Sequence, residues 1–131
     1  MKALIEHGIG VLTKRYNDKL FIEIVATGKL THDDYQLFIP IVEKALKAAK
    51  GLEVDLLVDA SNFKGWRELK AMIDDTKFGI KHLNDFDKAA LVGKKKWEEL
   101  AVKIWNLLSK SKVKYFKNRE KALEWLLKEK N

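Results

Sequence analysis

Residues 77–97 read KFGIKHLNDFDKAALVGKKKW, and how this stretch divides decides the fold. Up to Leu83 it continues a helical pattern in which Leu69, Met72, Ile73, Thr76, Ile80 and Leu83 share one face. The pattern breaks at Asn84-Asp85. Ala89-Ala90-Leu91-Val92 is then a short apolar run of the kind a buried parallel strand shows. After Gly93 and Lys94-Lys95-Lys96, a second helical pattern carries Trp97, Leu100, Ala101, Ile104, Trp105 and Leu108. A helix, a strand and a helix in direct succession mark an alternating α/β chain.

Upstream, Val54–Val58 is another buried-strand run, closed by Asp59-Ala60-Ser61-Asn62, with the next helix expected to begin near Trp66. Phe78 falls off the apolar stripe of that helix, and Gly79 lies within it. Before this strand, Thr31 is an N-cap with Asp34 three residues on, and Leu37, Ile41, Ala45 and Ala48 recur at helical spacing, reinforced by Phe38, Val42 and Ala49. Pro40 is expected to kink this helix or to move its first turn later, and Gly51 to stop it. Val11–Thr13 and Leu20–Val25 flank Tyr16-Asn17-Asp18-Lys19 as a hairpin, with Gly28 ending the second strand. Downstream, Val113–Phe116 is a last strand. Asn118 caps a last helix whose inner face is Ala122, Trp125 and Leu126, with Leu123 alongside.

The expected order is β-β-α-β-α-β-α-β-α in a single domain over residues 1–131. That is an α/β fold with a mixed sheet: an N-terminal hairpin, then mainly parallel strands, with one antiparallel edge. Sequential parallel strands put their crossover helices on one face of the sheet. The other face then needs cover from the remaining helix, a partner or solvent-tolerant residues.

Composition narrows the function classes. The chain has 131 residues, 47% hydrophobic and 34% charged, which suits one globular domain. It has no cysteine, which removes disulfides, thiolate metal sites and a cysteine nucleophile. No apolar run approaches the ~18 residues a membrane span needs, and MKALIEHGIG lacks a signal-peptide core. A cytoplasmic protein is expected. Residues 1–60 carry 8 basic and 9 acidic residues, whereas 61–131 carry 18 and 10. The basic half suits an anionic partner, or lysines that simply solvate helix faces.

No glycine-rich phosphate loop or paired-histidine motif is present, and His7, His32 and His82 are scattered. No catalytic residue, metal ligand or cofactor is therefore assigned, and an enzyme is not expected. Nucleic acid is not the expected partner either, because three of the four tryptophans lie on faces the core needs.

A family resemblance rests on Gly28-Lys29-Leu30-Thr31 with Asp34-Tyr35, on Leu57-Val58-Asp59 with Phe63-Lys64-Gly65-Trp66, and on Lys77–His82 with Asp85-Phe86. It continues through Leu91-Val92-Gly93 and Lys95-Lys96-Trp97 to Tyr115-Phe116. The chain resembles the small bacterial STAS-like proteins of SpoIIAA-like fold, which are related in shape to CRAL-TRIO lipid-binding domains. The resemblance implies a sheet domain that binds small lipophilic ligands or nucleotides, or acts as a regulatory protein-binding module, and that forms dimers. Anti-sigma-factor antagonists carry a phosphorylatable serine where a helix opens after a central strand. Here the corresponding helix start offers Trp66 and Arg67, and Ser61 comes earlier.

In open α/β sheets ligands gather at the carboxyl ends of strands. Asp59, Ser61, Asn62, Trp66, Gly93, Lys94, Lys95 and Lys96 are expected to meet there, with Trp66 and Phe78 forming an exposed apolar lip. Three lysines at a helix N-terminus oppose its dipole, so a bound anion is expected to offset them. The expected function is non-enzymatic binding of a small amphipathic or anionic ligand, a lipid or a nucleotide, by a homodimer. The alternative is a regulatory protein-interaction module, membrane-peripheral through its basic half. Asp59 capping its own loop and Gly93 making a tight turn are the structural alternatives at this corner.

Overall fold

The computed structural model describes residues 6–16 and 18–128. The elements are β1 (Gly8–Tyr16), β2 (Lys19–Leu30), α1 (His32–Ala48), β3 (Glu53–Trp66), α2 (Leu69–Lys81), β4 (Lys88–Val92), α3 (Lys96–Leu108), β5 (Lys112–Phe116) and α4 (Arg119–Leu127). The strands lie in sequence order in one sheet, β1 antiparallel to β2 and all other pairs parallel. The hairpin closes with Tyr16 opposite Lys19. Its expected turn residue Asn17 lies outside the described residues.

Strand alternation divides the core in two. Ile22, Ile24, Leu56 and Ala89 belong to one cluster with Tyr35, Phe38 and Val42 of α1. Phe21, Leu57, Ala90 and Val92 point the other way, onto Ala122 and Leu126 of α4. β3 and β4 therefore bury both faces, which is why they read as unbroken apolar runs. The remaining helix, α4, supplies the cover that the second face requires.

Helix α1 starts where its cap dictates. The Thr31 hydroxyl oxygen accepts from the Asp34 N–H at 3.2 Å, and the Asp34 carboxylate accepts from the Thr31 N–H at 2.8 Å. Pro40 sits inside the helix and does not delay its start.

Two strands run further than local sequence indicates. β2 does not end at Gly28, which adopts φ +69° within the strand, but continues to Leu30. β3 passes straight through Asp59-Ala60-Ser61-Asn62 and ends at Trp66, so α2 opens at Leu69 rather than at Trp66. The cause is mutual. Each extension gives the other a parallel partner, Thr27 with Asn62, Gly28 with Phe63 and Leu30 with Trp66, and two register shifts absorb the extra residues of β3.

Gly79 lies inside α2, exposed, and a Cβ added there meets nothing within 4 Å. Gly79→Ala is therefore expected to stabilise the protein by about 0.5–1 kcal/mol, through helix propensity and lower unfolded-state entropy. Urea denaturation measures this, and a loss of stability would contradict it.

Candidate functional site

The inner faces of α2 and α3 are not those of their most apolar stripes. On α2 the cavity is lined by Asp75, Phe78, Gly79 and His82, spaced i, i+3, i+4, i+7. Leu69 and Ile80 are left 67% and 68% exposed. On α3, Glu98 and Val102 are buried while Leu100, Ile104 and Leu108 face solvent. Neither inward face closes fully on the sheet. A cavity of about 260 Å³ remains between the two helices, with Ala60, Leu56, Val58 and Leu91 of the sheet among its lining.

Aromatic rings close one end. Trp66 lies 5.6 Å from Trp97 and 5.3 Å from Phe63 between ring centres. Phe78 does not form an exposed lip. It is half-buried against Phe38, 5.2 Å away.

A small polar cluster is set into this apolar wall. The Tyr35 hydroxyl donates to Asp75 Oδ2 at 2.5 Å, and the Trp66 indole N–H donates to the Tyr35 oxygen at 3.0 Å. Burial pushes the Asp75 carboxyl above the usual carboxylate range, while the hydrogen bonds from Tyr35 and Trp66 pull it back. Burial likewise raises the Tyr35 phenol, with the Asp75 charge adding to it.

His82 completes the α2 side. Its Nδ1 is 2.6 Å from Asp85 Oδ2 and its Nε2 is 2.8 Å from Glu43 Oε2. Both partners are carboxylates, so the ring donates to both only when each nitrogen carries hydrogen. Glu43 is held below its ordinary range by the Lys81 ammonium first and His82 second. The pairs Glu43–His82, Tyr35–Asp75 and His32–Asp74 all tie α2 to α1.

Comparison with known proteins adds the family. The family model described as SpoIIAA-like matches residues 21–127. The chain belongs to the SpoIIAA-like family. A solved structure from Shewanella loihica PV-4, described as an uncharacterised DUF3478-family protein with a SpoIIAA-like fold, is 32% identical. The match covers 96% of this chain and 98% of that one, with a TM-score of 0.76. No curated protein matches. Among the described residues of this SpoIIAA-like chain, no helix is long and apolar enough to cross a membrane.

The candidate residues read from sequence fall in several places. Trp66 and Phe78 line the cavity. Lys95 reaches its edge, with Nζ donating to the Phe63 carbonyl at 3.0 Å over the Phe63 ring. Asp59 sits in mid-strand on the α4 side of the sheet, 3.9 Å from Arg119, and accepts from the Ser61 hydroxyl at 2.6 Å and the Ser61 N–H at 3.0 Å. Asn62, Lys94 and Lys96 are exposed. Gly93 is close to Asp59, whose strand partner is Val92, yet it is packed over: a Cβ there would lie 2.4 Å from Glu98 Oε1.

The expected anion at the lysine cluster has a counterpart within the chain. Glu98 Oε1 accepts from the Lys95 N–H at 3.1 Å, and Glu98 and Glu99 together bring negative charge to the first turn of α3. Sequence reading passed over Tyr35, Asp75 and Glu98. The available signal was the 75, 78, 79, 82 spacing, which the more apolar neighbouring stripe outweighed.

Proposed function

We propose that this SpoIIAA-like domain is a binding module for a small lipophilic molecule, held between α2 and α3, and not an enzyme. The observation that carries the reading is the largely apolar cavity of about 260 Å³ between those helices. That volume has room for roughly eight to ten methylene-sized groups, near the lower end of ligand pockets. Burying an eight-carbon chain contributes about 6 kcal/mol before ordering costs. Such binding needs only space and apolar lining. The lipid side of the amphipathic-ligand expectation is thereby favoured over the nucleotide side. Among the described residues, the cavity lining includes the acidic side chains of Asp75 and Glu98 and no lysine or arginine, a poor setting for phosphate.

Isothermal titration calorimetry with octan-1-ol tests this. Micromolar-to-millimolar binding is expected in the wild type. Ala60→Phe, which fills the cavity floor, is expected to weaken it about fivefold or more while leaving a cooperatively folded protein. Unchanged affinity in that variant would put the ligand elsewhere and reject the reading.

A second reading, the homodimer, is favoured by the exposed apolar stripes, with Leu37, Leu69, Ile80 and Leu107 largely in solvent. Native mass spectrometry of the isolated protein reports both bound ligand and chain number. A single-chain mass at micromolar concentration would remove the dimer.

A further inference from the structure

We propose that the cavity selects neutral lipophiles carrying a hydrogen-bond donor, a hydroxyl in the simplest case, and that Asp75 is the acceptor that holds it. The inference rests on the cavity-binding reading above and names its ligand class.

Tyr35 gives its hydroxyl hydrogen to Asp75 Oδ2, and Trp66 gives its indole hydrogen to the Tyr35 oxygen, with a longer approach of 3.4 Å to the same Oδ2. Tyr35 and Trp66 are thus engaged with each other and with one carboxylate oxygen, and the indole of Trp97, 5.6 Å from Trp66 between ring centres, is 46% exposed. Asp75 Oδ1 has no hydrogen-bond donor among the described residues, and it is not among their fully enclosed, unpartnered oxygens. His82 is engaged by Asp85 and Glu43 through its two nitrogens. The Lys95 ammonium is turned onto the Phe63 carbonyl. Glu98, the other carboxylate in the lining, accepts from the Lys95 N–H.

What the wall has left to offer beside Asp75 is acceptor capacity. A ligand hydroxyl entering beside Asp75 gains a hydrogen bond to Oδ1. An ether oxygen at the same place brings a second acceptor and no proton, so neither group is satisfied. A ligand carboxylate or phosphate would bring a charge into an apolar enclosure beside two acidic side chains, Asp75 and Glu98, where its lost hydration is poorly replaced.

The test compares three probes of similar length by calorimetry at about pH 8, where free carboxylic acids are ionised: octan-1-ol, 1-methoxyheptane and octanoate. The alcohol and the ether have the same number of heavy atoms and differ in the donor. Wild-type protein is expected to prefer octan-1-ol over the ether by about tenfold and over octanoate by at least as much. Asp75→Asn presents an amide N–H₂ where Oδ1 stood, and is expected to erase or reverse the preference for alcohol over ether. A purely structural role for Asp75 would instead weaken alcohol and ether by the same factor, and that result overturns the proposal. Equal binding of alcohol and ether to the wild type overturns the donor selectivity while leaving the cavity reading standing. Absence of heat from all three probes removes both. Should Asp75→Asn fail to fold, the wild-type ranking decides, and Tyr35→Phe, which frees Oδ2 without removing the acceptor, is expected to keep the alcohol preference.

Discussion

Gly28→Ala is expected to destabilise the fold by about 3 kcal/mol, the largest loss anticipated for a one-methyl change in this protein. Two costs add. Gly28 holds φ +69° near the end of β2, a region that an L side chain occupies at a cost of about 1–2 kcal/mol. The new Cβ would also lie 2.0 Å from the Glu6 carbonyl oxygen and 3.2 Å from the His7 Cα. Those are backbone atoms, so relief requires moving the segment that enters β1 or the strand itself. His7 is also bonded to Asp34 at 2.7 Å, which links that segment to the capping box of α1. Guanidinium unfolding would register the loss as a lower midpoint at an unchanged slope. A change below about 1 kcal/mol would mean that the entry to β1 does not pass over Gly28.

Asp55→Asn is expected to do the opposite, stabilising the protein by about 2 kcal/mol near pH 8. Asp55 is 5% exposed in β3, opposite Lys88 of β4, and its Oδ1 finds no hydrogen-bond partner among the described residues. Burial, with the Glu53 charge adding to it, pushes the carboxyl up to about 6, against the opposing pull of Lys19 and Lys88. The folded protein therefore holds this proton to higher pH than the unfolded chain, whose carboxyl titrates near 3.8. Between those values the folded state binds more protons, so stability falls as pH rises, and the penalty is complete above about 6. Asparagine removes the charge and with it this pH dependence. Melting temperatures should diverge in favour of Asp55→Asn between about pH 4 and 6 and keep a constant separation above that, with little difference at the acid end. If the variant is less stable at about pH 8, then Asp55 is a net favourable partner of Lys88, contrary to this account.

Neither of these residues touches the proposed ligand, and that separation is useful. Gly28 and Asp55 report on how the sheet is built. Ala60 and Asp75 report on what the space above it holds. A variant set that moves stability at the first pair and ligand selectivity at the second would assign framework and site independently.

Much of the fold was legible because its signals are local. Thr31 and Asp34 form their capping box from residues three apart. Asn118 caps α4 through the Lys121 N–H. Ala89–Val92, a short apolar run, reads as a strand, and it is one. The element order and the single antiparallel edge follow from such pieces together with crossover handedness. The candidate site was less legible. Asp59 through Asn62 carries the polar, turn-forming residues of a loop. It is strand because β2 continues to Leu30 and offers those residues a partner, a fact located some thirty-odd positions earlier in the chain.

By itself, then, the sequence determined how many helices and strands there are, their order, and that each helix has an apolar side. Only the tertiary structure decided which side of each helix turns inward. Neighbouring positions on a helix point about 100° apart, so Leu37 and Phe38, or Gly79 and Ile80, belong to different stripes that periodicity ranks by hydrophobicity alone. The axis of each helix is set by the strand ends and crossovers that hold it and by its ties to other elements, here Asp74, Asp75 and His82 of the α2 segment bonded to α1. Those constraints turn Phe38 and Phe78 toward the sheet and leave Leu37 and Ile80 outside. They also leave between α2 and α3 the hollow that no spacing of residues announces.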